Sequence, residues 1–153
     1  MSTAVATRVD ETGARAGSRR DHFRSALDAA LAEADADERI GPALRAVRLR
    51  LRFVFTDSGV VLDLAAVEDG DRNLIWSFDG PTESEPKLEL QMDSEVANLY
   101  LQGRESLAVG IAHGQIRIRG ESRIALLYLP ATRLLCEPYR RVIRDRFPEL
   151  VAG

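Results

Sequence analysis

Val47–Phe55, VRLRLRFVF, is the stretch on which the fold turns. Val47, Leu49, Leu51, Phe53 and Phe55 alternate with Arg48, Arg50 and Arg52, a period of two that puts apolar and cationic side chains on opposite faces of a strand. A helix would scatter the same residues around its circumference. Downstream the pattern repeats. TDSG (Thr56–Gly59) reads as a turn and VVLDLAAV (Val60–Val67) as a second strand, with Val60, Leu62 and Leu64 in phase. EDGD (Glu68–Asp71) turns again into NLIWSF (Asn73–Phe78), where Leu74, Trp76 and Phe78 are in phase. The loop DGPTESEP (Asp79–Pro86) leads to KLELQM (Lys87–Met92), with Leu88, Leu90 and Met92 in phase.

Upstream the period is helical. Phe23, Leu27, Ala30, Leu31 and Ala34 predict a first helix from Asp21 to about Asp35, and Gly41-Pro42 interrupts it, leaving a short turn of helix up to Ala46. Residues 1–20 are small and polar, without periodicity, and read as a disordered tail ahead of a single domain over 21–150. After Met92 a helix opens at Asp93 or Ser94 and closes on Gly103, where a C-capping glycine belongs. RESLAVGIA forms a second short helix, GQIRIRG a fifth strand with Ile116 and Ile118 inward, and ESRIALLYL, ATRLLCE and PYRRVIRDRF return the chain to helix. Five alternating strands have one dry face and one wet face. The expected class is therefore α+β, a five-stranded, mostly antiparallel sheet with helices covering one face.

Composition narrows the function. The chain has 153 residues and a net charge of −3, and its cationic residues are almost all arginine, Lys87 being the sole lysine. That balance argues against a nucleic-acid binder, and the arginines of the first strand face Asp63, Glu89 and Gln91 on the same wet side, so cross-strand pairing accounts for them. Cys136 stands alone, which excludes an internal disulfide and a cysteine-clustered metal site; a reducing, cytoplasmic setting is the expectation. No apolar run reaches the roughly 20 residues that span a bilayer, and Arg19-Arg20 is followed by DHFRSALDAA in place of the apolar core of an export signal.

No catalytic constellation emerges. His22 and His113 are the only imidazoles and have no nucleophile elbow to serve. Gly110, Gly114 and Gly120 precede a strand, whereas a dinucleotide fingerprint follows one. Asp35 and Asp37 lie on different sides of a helix, and EDGD lacks the distant bidentate glutamate of a calcium loop. No cofactor and no metal is expected. What remains is apolar surface: Phe53, Phe55, Trp76, Phe78, Leu90, Met92, Ile116 and Ile118 from the sheet, with Leu99, Leu107, Ile111 and Leu127 from helices, together with Leu126 and Leu135. Aromatic and methionine side chains under short, broken helices suit an adaptable apolar cavity, while a plainly filled core uses the same residues.

The order of elements and the stretch Ser94–Glu121, SEVANLYLQGRESLAVGIAHGQIRIRGE, resemble the sterol carrier protein 2 family of lipid-binding domains. A helix ending in glycine plus a basic residue is matched by Gly103-Arg104, a short alanine-bearing helix by the segment around Ala108, and a Gly-Lys-Leu-Lys-Ile-x-Gly-Asp-like strand by Gly114–Glu121. The likeness runs from about Ile40 to Phe147. Gln115 replaces the usual lysine, Glu121 the aspartate, and the last residues, VAG, are not a peroxisomal signal. The resemblance implies a hydrophobic tunnel between sheet and helices that takes a sterol, fatty acid or fatty acyl chain, without a catalytic apparatus. Arg19, Arg20 and Arg24 on the first helix, and Arg140, Arg141, Arg144 and Arg146 on the last, are the expected points of transient contact with an anionic membrane surface. Two readings of other classes stand beside the carrier: an interaction module with a filled core acting beside an enzyme, and an acid–base enzyme, which requires an inward-facing carboxylate or histidine.

Overall fold

The computed structural model describes residues 3–80 and 85–152, with side chains from Gly17 onward. Alternation in the sequence becomes a sheet in the order β3-β2-β1-β4-β5. Its strands are β1 (Arg50–Phe55), β2 (Val60–Ala66), β3 (Leu74–Phe78), β4 (Leu88–Met92) and β5 (Arg117–Gly120). The first three form an antiparallel meander, β4 lies parallel to β1 on the other side, and β5 pairs antiparallel with β4. Register aligns the dry residues in rows: Phe53 opposes Leu62 on one side and Leu90 on the other, and Leu64 opposes Trp76. Leu51, Phe53, Phe55, Leu62, Leu64, Leu88, Leu90 and Met92 are all buried.

Along the wet face the same register builds a charge ladder across four strands, Asp63–Arg52–Glu89–Arg119. Arg52 Nε donates to Asp63 Oδ1 at 2.9 Å, and Arg52 and Arg119 lie 3.8 and 3.9 Å from Glu89. Opposite charges on neighbouring strands stabilise the pairing by about 0.2–1 kcal/mol each. These arginines serve the sheet itself.

Helices cover the dry face: α1 (Thr3–Ala36), α2 (Ile40–Ala46), α3 (Ser94–Leu101), α4 (Leu107–Ala112), α5 (Ser122–Thr132) and α6 (Cys136–Arg146), with 3-10 turns at Arg133–Leu135 and Pro148–Leu150. Phe23, Ala26, Leu27, Ala30, Leu31 and Ala34 form the buried stripe of α1. Phe23 meets Phe55 edge-on, ring centroids 5.2 Å apart, and approaches Tyr139 of α6 at 6.1 Å. The far end of α1 is tied to the β2–β3 turn, because Asp35 Oδ1 accepts the amides of Asn73 and Leu74. Gly41 leaves room for the same turn, since a Cβ there would lie 2.4 Å from Asn73 Nδ2.

Two short helices end in the same device. Gly103, at φ +76°, bonds through its amide to Tyr100 O while the Arg104 amide reaches Leu99 O; Gly114, at φ +75°, repeats the pattern on Ile111 and Gly110. These are Schellman closures, which need the left-handed region that glycine enters freely.

Differences from the sequence reading lie at boundaries. The helix expected from Asp21 begins at Thr3. Its cause is visible from Gly17 on: no proline interrupts the chain, and Arg19 is held by Glu95 and by the carbonyl of Glu149. The strand expected from Val47 begins at Arg50, because Arg48 adopts φ +54° and turns its carbonyl to accept the Tyr128 hydroxyl at 2.8 Å. Part of the loop expected at Asp79–Pro86 lies outside the described residues.

Candidate functional site

Between the sheet and α1, α3 and the turn at Arg133–Leu135 lies an apolar cavity lined by Leu27, Leu31, Phe53, Phe55, Leu62, Met92, Ala97, Tyr100, Leu101 and Leu135. Each wall has a local cause. Leu27 and Leu31 come from the buried stripe of α1, Phe53, Phe55, Leu62 and Met92 from the dry face of the sheet, and Ala97, Tyr100 and Leu101 from one side of α3. The cavity holds about 10 Å³, scarcely one water. This cavity is far smaller than the ligand tunnel implied by the family resemblance.

The one polar group on this wall is already engaged. Tyr100 Oη lies 2.6 Å from Thr132 Oγ1, and that hydroxyl donates to Leu129 O at 2.7 Å. Burial pushes the Tyr100 phenol up to about 12, so it is neutral across the physiological range. A second buried polar knot flanks the cavity: Tyr139 Oη donates to Asn98 Oδ1 at 2.5 Å, and Asn98 and Gln102 both donate to the carbonyl of Leu150. Burial likewise raises the Tyr139 phenol. Both knots hold α3 against α5 and α6.

Of the residues proposed from sequence, Phe53, Phe55, Met92 and Leu135 line the cavity. Leu90, Leu107 and Ile116 are buried in the surrounding core, and Trp76, Phe78, Ile111 and Ile118 are half-buried at its rim. Trp76 turns its indole N–H to Asp28 at 2.8 Å, with Arg72 over its ring. Leu99 is half-buried on the outer side of α3. Leu127 is 48% exposed and Leu126 79%, so the inward orientation expected for both is corrected. IALLYL is apolar on every side, and packing chose the face carrying Tyr128, Ala131 and Thr132. Leu27, Leu31, Leu62, Ala97, Tyr100 and Leu101 were not singled out for the cavity. Their signal was only helical or strand phase, which marks core without saying where a gap falls.

The polar candidates lie outside. His113 is the exposed C-cap of α4, and His22 pairs with Glu149 at the surface. Arg20 pairs with Asp57 at 3.5 Å, Arg24 with Asp79 at 3.6 Å, and Arg141 with Glu33 and Glu137. Burial alone would raise Asp57, but hydrogen bonds from the Ser94 hydroxyl and amide, with Arg20 nearby, bring it below the usual carboxylate range. The Arg19 bond does the same for Glu95. These groups surround a polar cleft of about 130 Å³ floored by Phe23 and Leu150. Among the described residues no cluster of three metal-ligating side chains occurs, and no helix is long and apolar enough to cross a membrane.

No protein-family model and no curated protein matches the chain. Solved structures do. A protein from Thermus thermophilus, described as possibly a sterol carrier protein, superposes with a TM-score of 0.55 at 16% identity, over 77% of this chain and 86% of its own. A crystal structure of sterol carrier protein 2 gives 0.52 at 16% identity, over 76% and 94%. A stereoselective inverting sec-alkylsulfatase from Pseudomonas sp. gives 0.49 at 11% identity, and there the chain spans only 14% of the matched protein's length. The protein is thus an α+β domain whose helices close a dry sheet face over an apolar cavity. Its fold is that of sterol carrier protein 2.

Proposed function

We propose that this protein is a non-catalytic binding or carrier domain for an apolar ligand, a sterol, fatty acid or fatty acyl chain, taken up between the sheet and the helices. The observation that carries the reading is the composition of the cavity wall: ten residues, nine with wholly apolar side chains and the tenth, Tyr100, with its hydroxyl turned to Thr132. Such a wall offers dispersion and burial and no group able to stabilise a developing charge. Working ligand sites enclose about 300–1,000 Å³, so uptake requires the wall to open by at least ~300 Å³. Leu135 closes the cavity from the 3-10 turn that follows α5.

A second reading, the interaction module with a filled core, is favoured by the 10 Å³ volume itself. Both readings meet in one experiment. Mass spectrometry of the organic extract of the native protein, with titration of a fluorescent fatty acyl probe, is expected to show extractable lipid and saturable uptake. Ala97→Phe, which obstructs the space that must open beside α3, is expected to abolish that uptake while a cooperative thermal melt shows that the variant still folds. No extractable lipid and no uptake across several chain lengths and sterols, together with a stoichiometric co-purifying protein, selects the module.

A further inference from the structure

Helix α5 has two apolar sides, and only one of them faces the protein. Tyr128, Ala131 and Thr132 are buried, whereas Leu126 is 79% exposed, Leu127 48% and Leu134, on the following turn, 37%. Leu126, Pro130 and Leu134 recur four apart, and Leu127 stands one turn before Pro130, so these residues share one outward face. Single exposed leucines are ordinary; a contiguous row of them marks a contact surface. Arg123 stands on the same face one turn before Leu126 and Leu127, and Arg133 lies at its other end. From Arg117 to Leu135 the chain carries four arginines against one acid, Glu121; with Arg119 set against Glu89 in the sheet, Arg117, Arg123 and Arg133 still outnumber Glu121 in a chain whose net charge is −3. Arg123 pairs with Glu121 at 3.3 Å, both at the surface, while Arg19, Arg20, Arg24 and Arg141, arginines of the first and last helices expected at a membrane, pair with carboxylates of other elements or of their own helix.

We propose that the outer face of α5 docks this protein on an anionic lipid bilayer, with Leu126, Leu127 and Leu134 entering the headgroup–acyl boundary and Arg123 and Arg133 meeting lipid phosphates and carboxylates. A leucine row flanked by guanidinium groups has the pattern of an interfacial helix, and the charge excess selects anionic over zwitterionic lipid. Docking places the bilayer one residue from the cavity wall, because Leu134 faces out and its neighbour Leu135 faces in. It does not depend on the cavity taking a ligand.

The test uses the full chain with phosphatidylcholine vesicles and with mixed phosphatidylcholine–phosphatidylserine vesicles, read by co-sedimentation. Wild type is expected to sediment with the mixed vesicles, to leave them as salt rises, and to ignore phosphatidylcholine alone. Arg123→Glu and the double change Leu126→Gln with Leu127→Gln are each expected to lower the partition coefficient roughly tenfold, with the thermal melt unchanged. In Leu126→Trp, lipids brominated in the acyl chain are expected to quench more emission than in wild type, whose Trp76 lies elsewhere. Unchanged partition in both substitutions, absence of quenching at position 126, or light scattering that shows these leucines joining two copies of the chain overturns the proposal. Vesicle binding without uptake of the fatty acyl probe removes the carrier reading and leaves the docking surface standing.

Discussion

Leu31→Ala tests whether the apolar chamber is the packed centre of the molecule. Leu31 is fully buried, lies on the stripe by which α1 meets the sheet, and borders the existing 10 Å³ gap. Truncating the buried isobutyl group to a methyl, a loss of three carbons, removes about 1.5–3 kcal/mol of transfer free energy. The space left behind adds roughly 1.2 kcal/mol for every 50 Å³ that the neighbours fail to fill. Relaxation is limited here: Phe53 and Phe55 are stacked at 6.0 Å, and Phe55 is held edge-on by Phe23, so neither ring is free to slide into the void. The expected loss is therefore about 3–5 kcal/mol, in the upper part of the range for buried leucines. Urea denaturation measures it, as a fall in the midpoint at unchanged slope. The enlarged chamber should also bind a small apolar ligand such as benzene, and at a hundred times its Kd the ligand should return about 2.7 kcal/mol. A loss below ~1 kcal/mol, or a variant that benzene does not stabilise, would refute the placement of Leu31 against Phe53 and Phe55.

Gly103→Ala places a Cβ in the left-handed region at φ +76° and is expected to cost about 1–2 kcal/mol by denaturation, although the nearest atom it meets is only the mobile Arg140 guanidinium. Gly59→Ala, with φ +76° and open space around it, is the matched control for the conformational term alone. Stability is also expected to decline on the acid side. Asp57 and Glu95 are held below their ordinary values of 3.8 and 4.5, so the folded state favours their charged forms. Their contribution is complete above those values and is lost as pH falls through the lower folded ones. Asp57→Asn should flatten the acid limb of a denaturation series, and a limb of unchanged steepness would refute the assignment.

Strand phase carried the sheet a long way. Alternation in VRLRLRFVF, VVLDLAAV and KLELQM placed Leu51, Phe53, Phe55, Leu62, Leu64, Leu88, Leu90 and Met92 on the buried face, because a period of two leaves one dry side whatever the strand order. Gly103 was legible for a similar reason, since the cap is a local demand on φ. The site was less legible. Leu126 and Leu127 read as core because every position of IALLYL is apolar, and periodicity cannot orient such a helix. Leu27 and Leu31 were read as core, but their place beside Phe53 and Phe55 depends on where α1 crosses the sheet.

Fold class, the one-sided sheet and the helix caps follow from interactions within a few residues, and the sequence by itself determined them. Only the tertiary structure decided the parallel pairing of β1 with β4, the closing of the chamber to 10 Å³ and the outward turn of the α5 leucines. Each of these is settled by which distant segments meet, through side-chain volumes that fill a shared space, and no local periodicity encodes that choice.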